Sequence, residues 1–62
     1  MTLEGKFICI TGASGGIGKE VAFEVSKRGA TPILMARSLD KLEEVAAQIK
    51  SQHNKDAIVI PV

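Results

Sequence analysis

The sequence predicts an α/β fold, the βαβαβ half of a doubly wound parallel sheet. Three observations predict it: three short apolar runs, two intervening segments with helical periodicity, and a glycine-rich stretch where the first apolar run ends. Each helical segment returns the chain to a strand of the same direction, and such crossovers are nearly always right-handed. Both helices are therefore expected on one face of the sheet.

The first half of the chain is predicted to form a strand, a glycine turn and a helix. The strand covers Lys6 to Thr11, because its β-branched, apolar centre is too short for a helix. The helix starts at Gly16 or Ile17 and runs to about Arg28. Its apolar face is formed by Ile17, Val21, Ala22 and Val25. Gly29 follows as a left-handed helix cap.

The second half of the chain repeats this order and adds a third strand. The second strand runs from Thr31 to Ala36, and Ser38 caps a second helix that ends within residues 50–52. The apolar face of this helix is formed by Leu39, Leu42, Val45, Ala46 and Ile49. A polar loop then reaches Asp56, and the third strand covers Ala57 to Ile60.

The strands are apolar at consecutive positions, as is typical of strands that are covered on both faces. Two helices on one face supply only half of that cover, and the first strand is a bare edge in the expected strand order 3-2-1. We therefore expect residues 1–62 to be the N-terminal part of one Rossmann-type domain, cut after its third strand. Cys9, inside the first strand, is expected in the buried core.

Composition argues against several classes of function. Eight basic and seven acidic residues are intermixed and give a formal net charge of +1, so neither nucleic-acid nor membrane binding is indicated. The apolar run near the N-terminus is too short for a signal peptide or a membrane span, and we expect a cytoplasmic protein. His53 has no second ligand at metal-binding spacing; it is expected to be solvated in the loop, and no metal site is predicted.

Residues 11–18, with the sequence TGASGGIG, are predicted to cradle a phosphate. Gly12 permits the sharp turn from strand to helix. Gly16 lets a diphosphate approach the free N–H groups and the positive dipole end of the helix, and Gly18 lets the helix pack closely. The spacing differs from the Gly-x-Gly-x-x-Gly fingerprint of other dinucleotide-binding folds. A simple connection needs one or two glycines, whereas this stretch has four.

This motif resembles the opening of a short-chain dehydrogenase/reductase, together with Leu3-Glu4-Gly5-Lys6 before it and, at the end of the second strand, Ala36-Arg37-Ser38 followed by Lys41-Leu42. The resemblance extends from about Leu3 to Val62. It implies an oxidoreductase that moves hydride between NADPH and a carbonyl or alcohol substrate, usually as a homo-oligomer. The residues it places around the adenosine and diphosphate groups of the cofactor are Gly12, Ser14, Gly15, Gly16, Ile17 and Gly18.

The end of the second strand favours NADP over NAD. Proteins that select NAD usually place a carboxylate there for the ribose 2′-hydroxyl, and this chain has Ala36 instead. Arg37 offers a bidentate fork and Ser38 a hydroxyl to the 2′-phosphate of NADP. Many relatives that prefer NADP carry a second basic residue where this chain has Gly15. Lys41, in the first turn of the second helix, is the candidate substitute, although a lone lysine on a helix is more often simply solvated.

Catalysis in the family that the chain resembles belongs to a Tyr-x-x-x-Lys pair, in which the tyrosine is the general acid or base. The sequence contains no tyrosine, so the catalytic residues and the substrate pocket are expected outside these 62 residues. Ser14 lacks both a nucleophile elbow and a nearby base, so no catalytic residue is predicted here. Two alternatives stay open: a non-catalytic dinucleotide-binding or redox-sensing protein, and a chain that pairs with itself to cover its open face.

Overall fold

The computed structural model describes residues 2–62 and contains five elements in the predicted order. They are β1 Phe7–Thr11, α1 Gly16–Lys27, β2 Thr31–Ala36, α2 Leu39–His53 and β3 Ile58–Pro61. The strands form one parallel sheet in the order β1-β2-β3, which is the predicted order 3-2-1 read from the other edge. The predicted fold class, a Rossmann-type half of a parallel sheet, is confirmed.

One face of the sheet carries both helices and the hydrophobic core. Ile10 of β1 lies opposite Leu34 of β2, which lies opposite Val59 of β3. These side chains pack with buried residues of both helices, among which Leu42 and Ile49 of α2 are fully buried. The helices also contact each other. The predicted placement of both helices on one face is therefore confirmed.

The opposite face of the sheet is open among the described residues. Its central row consists of Cys9, Ile33 and Ile58, one residue from each strand. Phe7 is 66% exposed on this face and Ile58 is 42% exposed. The prediction that Cys9 lies in the buried core is wrong for residues 2–62: side chains alternate along a strand, and Cys9 points away from the face on which its neighbour Ile10 is buried.

Helix α1 packs on the sheet through only part of the predicted apolar face: Ala22 lies in the core, and Val25 packs against it. Ala22 is fully buried and Ser26 is 2% exposed, whereas Ile17 is 82% and Val21 42% exposed. The Ser26 hydroxyl donates to the Ala22 carbonyl at 2.7 Å, which satisfies the one polar side chain buried in this helix. The prediction is confirmed for Ala22 and Val25 and wrong for Ile17 and Val21, because the helix is turned so that Ala22 and Ser26 meet the sheet.

Both helices end in left-handed residues. Gly29, directly after the C-cap of α1, has φ +104 and donates its N–H to the Ser26 carbonyl at 3.0 Å, which confirms the predicted cap. Helix α2 continues to His53, beyond the predicted end, and stops at Asn54 with φ 52. The helices have 12 and 15 residues, and neither has the length and hydropathy that crossing a bilayer requires.

His53 therefore lies in the last turn of α2 and not in a solvated loop. Its ring is half-buried and meets the ring of Phe23 of α1 edge-on, with the two centroids 6.3 Å apart. The prediction of a loop position for His53 is wrong, because the polar stretch after Lys50 continues the helix for three more residues.

Candidate functional site

The candidate cofactor-binding residues follow β1 and β2 at one edge of the sheet. The carboxyl ends of parallel strands meet at the same edge, where ligands bind in open α/β sheets. Thr11 pairs in register with Met35, so the glycine turn after β1 lies beside Arg37 after β2. The N–H of Ala13 donates to the Met35 carbonyl at 3.2 Å and fixes the turn against β2.

The glycine turn has the backbone geometry that its spacing predicts. Gly12 has φ +65, in the left-handed region, and its carbonyl accepts the N–H of Gly15 at 3.0 Å. A Cβ on Gly18 would lie 2.3 Å from the Gly12 carbonyl oxygen, so only glycine allows the helix to approach the turn this closely. A Cβ on Gly16 would meet nothing within 4 Å, so the space beside the helix start is open.

The N-terminus of α1 presents donors without protein partners. Its N-cap residue, Gly15, makes no side-chain capping bond, and the first turn contains no acidic residue. Within residues 2–62, no acceptor meets the N–H groups of Gly16, Ile17 and Gly18, whereas the N–H of Lys19 bonds to the Gly15 carbonyl at 2.8 Å. Free N–H groups at the positive end of a helix dipole fit a diphosphate.

A cavity of about 430 Å³ opens between the glycine turn and the end of β2. It brings together four of the predicted site residues, Gly12, Ser14, Arg37 and Ser38. The other four lie at the adjacent turn and helix start and do not line the cavity: Gly15, Gly16, Ile17 and Gly18. The predicted site residues therefore fall into two neighbouring groups, one at the start of α1 and one between the strands.

The side chains that line this cavity carry only positive charge. Arg37 and Lys41 line it, and no carboxylate of the described chain does. The ion pairs found within residues 2–62 join Glu24 with Arg28, Asp56 with Lys50, and Glu4 with Lys55. Neither Arg37 nor Lys41 belongs to any of these pairs, so both cations are available to an anionic ligand.

Ser38 caps the start of α2 and can also donate a hydrogen bond to a ligand. Its Oγ accepts the N–H of Lys41 at 3.5 Å, which confirms that it caps the helix. The hydroxyl hydrogen is not used by this bond, so Ser38 can still donate to a ligand oxygen. Directly before Arg37, the buried methyl group of Ala36 occupies the place where an NAD-selecting carboxylate is expected.

Val62 also lines the cavity but is absent from the predicted site residues. Its side chain is 70% exposed, and its N–H donates to the Ala36 carbonyl at 2.9 Å. This bond holds the chain after β3 beside the end of β2. The sequence did carry the signal for it, because the carboxyl ends of all three parallel strands must share one edge of the sheet.

Comparison with known proteins identifies relatives of this chain. The model of the family described as short chain dehydrogenase matches residues 6–62. An Arabidopsis thaliana protein named 11-beta-hydroxysteroid dehydrogenase-like 2 is 49% identical over 57 residues, which cover 92% of this chain and 18% of that protein. A very-long-chain 3-oxoacyl-CoA reductase of Vanderwaltozyma polyspora is 45% identical over 58 residues, which cover 94% of this chain and 17% of that protein.

A solved structure repeats both the fold and the sequence similarity. The L-sorbose reductase of Gluconobacter frateurii, complexed with NADPH and L-sorbose, superposes with a TM-score of 0.94 at 37% identity. The match covers 100% of this chain and 24% of that one. The chain thus spans less than a quarter of the length of each of these relatives. Since the family match covers nearly all of its residues, this chain belongs to the short-chain dehydrogenase family.

Proposed function

We propose that this chain is the cofactor-binding part of an NADP-dependent oxidoreductase that transfers hydride between NADPH and a carbonyl or alcohol substrate. The observation that carries the proposal is the cavity in which Gly12 and Ser14 lie across from Arg37 and Ser38 without any lining carboxylate. The relatives support it, since they are named as dehydrogenases and reductases, and one of them is complexed with NADPH.

The residues present fit the two anionic parts of NADP at two separate places. The free N–H groups at residues 16–18 suit the diphosphate, and the open space beside Gly16 leaves room for it. The guanidinium of Arg37 and the hydroxyl of Ser38 suit the 2′-phosphate. The nicotinamide of the bound cofactor supplies or accepts the hydride, whereas these residues bind and orient its adenosine half.

We further propose that residues 1–62 are the N-terminal part of one NAD(P)-binding domain in a protein that acts as a homo-oligomer. The open apolar face of the sheet supports this, because apolar parallel strands are usually covered on both faces. The absence of tyrosine from the sequence also supports it, since the family's general acid or base then lies elsewhere in the protein. The substrate pocket belongs to that remaining part.

Titration of the full-length protein with NADPH and NADH tests the cofactor assignment, with Arg37→Asp as the diagnostic variant. The wild type is expected to bind NADPH more tightly. Arg37→Asp removes charge-assisted hydrogen bonds and adds a repelling carboxylate, so it is expected to lose about 1.5–3 kcal/mol of NADPH binding, or about 10- to 150-fold in affinity. NADH affinity is expected to be retained.

Lys6→Asp is the matched control, because it makes the same change of charge at an exposed residue just before β1. Lys6 thus lies at the amino-terminal ends of the strands, whereas the site lies at their carboxyl ends. It is expected to leave both affinities unchanged. Equal affinity of the wild type for NADPH and NADH, or an unchanged preference in Arg37→Asp, contradicts the NADP assignment. Tight NADPH binding without hydride transfer to any of a panel of carbonyl compounds would instead favour the non-catalytic, redox-sensing alternative.

A further inference from the structure

We propose that Lys41 makes a second contact to the 2′-phosphate of NADP and so helps to set the selectivity for NADP over NAD. The inference rests on the proposed function, because it concerns the same cofactor site. Arg37 is the first cation at the 2′-phosphate, and Lys41 of α2 supplies the second, because the glycine turn contains no basic residue.

The position of Lys41 in α2 directs its side chain toward the cavity. It is the third residue after the N-cap Ser38, and its N–H is bonded to the Ser38 Oγ. In an α-helix the Cα–Cβ bonds tilt toward the N-terminus, so a side chain in the first turn leans toward the end that faces the site. Lys41 accordingly lines the same cavity as Arg37 and Ser14.

The negative charge of a 2′-phosphate bound in this cavity is balanced only by more than one cation. Residues 11–18 contain no charged side chain, and Gly15, at the middle of the turn, has no side chain at all. A phosphate monoester carries a charge of about −1.5 to −2 at neutral pH, and Arg37 balances only one of these charges. Lys41 is the only other cation that lines the cavity within the described chain.

The ammonium group of Lys41 is free to take this role. Its side chain is exposed and belongs to none of the ion pairs found in residues 2–62. Asp40 beside it and Glu44 one turn further are acidic, but within residues 2–62 neither forms an ion pair with it or lines the cavity. The two cations also complement each other: Arg37 offers a planar fork, whereas Lys41 offers a point charge on a flexible stem.

Lys41→Met in the full-length protein tests the proposal, because methionine keeps most of the length of the side chain and removes its charge. The affinity for NADPH is expected to fall about 1.4- to 5-fold, the range for a solvent-exposed charge pair. The affinity for NADH is expected to stay the same. The affinities of wild type and variant for 2′,5′-ADP and 5′-AMP are compared in the same way. Because neither ligand carries a nicotinamide, the difference between them measures the contribution of the 2′-phosphate alone.

Two further variants and the salt dependence separate a phosphate contact from a structural role. Lys41→Arg is expected to restore the preference for NADPH, and Lys50→Met, at the other end of the same helix, is expected to leave it unchanged. The dependence of NADPH affinity on salt should weaken in Lys41→Met, because one fewer cation faces the phosphate. A merely structural role would lower the affinities for NADPH and NADH together.

The outcomes distinguish this proposal from the proposed function. A wild-type protein that prefers NADPH, with the same preference in Lys41→Met, overturns the role of Lys41 and leaves the NADP assignment standing. A wild-type protein without preference overturns both. A parallel loss of NADPH and NADH affinity in Lys41→Met also overturns the proposal, because the residue then supports the fold of the site rather than contacting the phosphate.

Discussion

Gly16 and Gly18 are two residues apart, yet their missing side chains serve different purposes. At Gly18 a Cβ would lie 2.3 Å from the Gly12 carbonyl oxygen and 2.8 Å from its carbon, both backbone atoms that cannot rotate away. At Gly16 a Cβ would enter open space. The first glycine therefore keeps room for a ligand, and the second brings the helix against the turn.

Gly18→Ala and Gly16→Ala separate these two purposes. Gly18→Ala is expected to lower the free energy of unfolding by about 1–3 kcal/mol, because the turn and helix must move apart. Gly16→Ala is expected to leave that free energy nearly unchanged while weakening NADPH binding, since its methyl group fills the space beside the free N–H groups. Urea unfolding and NADPH titration of both full-length variants check this, and equal stability of the two variants would contradict it.

At the scale of elements, the features that depend on a few neighbouring residues were predictable from the sequence. The turn at Gly12, the cap at Gly29 and the cap at Ser38 are all present, because each depends on the local backbone or on a bond to a nearby residue. The C-terminal end of α2 was not predicted. The stretch after Lys50 is polar, which is typical of a loop, although it contains Asn54, a residue type that accepts the left-handed conformation.

Asn54 gives a test of that helix end. It has φ 52, and its N–H donates to the Lys50 carbonyl at 3.0 Å. Asn54→Ala is expected to cost about 1 kcal/mol of unfolding free energy, because alanine keeps the Cβ but lacks the short polar side chain that lets asparagine tolerate the left-handed region. Asn54→Gly, which removes the Cβ, is expected to be neutral or stabilising. Chemical denaturation of the full-length variants measures the difference. Gln52→Ala, within the exposed last turn, is the control, and equal effects of alanine and glycine at position 54 would argue against a left-handed cap.

At the scale of the whole chain, the sequence predicts that both faces of the sheet are covered by other parts of the protein. It does not predict which side chains point to the helices and which point to the opposite face. Periodicity assigns residues to a face of a helix without saying what that face contacts, so Ile17 and Val21 belong to the predicted apolar face although both are exposed. A continuous apolar strand likewise does not reveal which residues point to the helices. The apolar run around Cys9 therefore predicts a buried thiol, although the row of the sheet to which Cys9 belongs is open within residues 2–62.

The reactivity of Cys9 tests whether a second layer covers that face, as the proposed domain requires. In the full-length protein we expect Cys9 to react with a thiol reagent far more slowly than a free thiol, because its row with Ile33 and Ile58 is then buried. Urea should restore the reaction, and mass spectrometry of the Cys9 peptide measures both rates. The thiol introduced by Ala47→Cys, at an exposed position of α2, supplies the rate for an accessible site. If Cys9 reacts as fast as that thiol under native conditions, the open face is uncovered in the full-length protein and residues 1–62 are not half of a doubly wound domain.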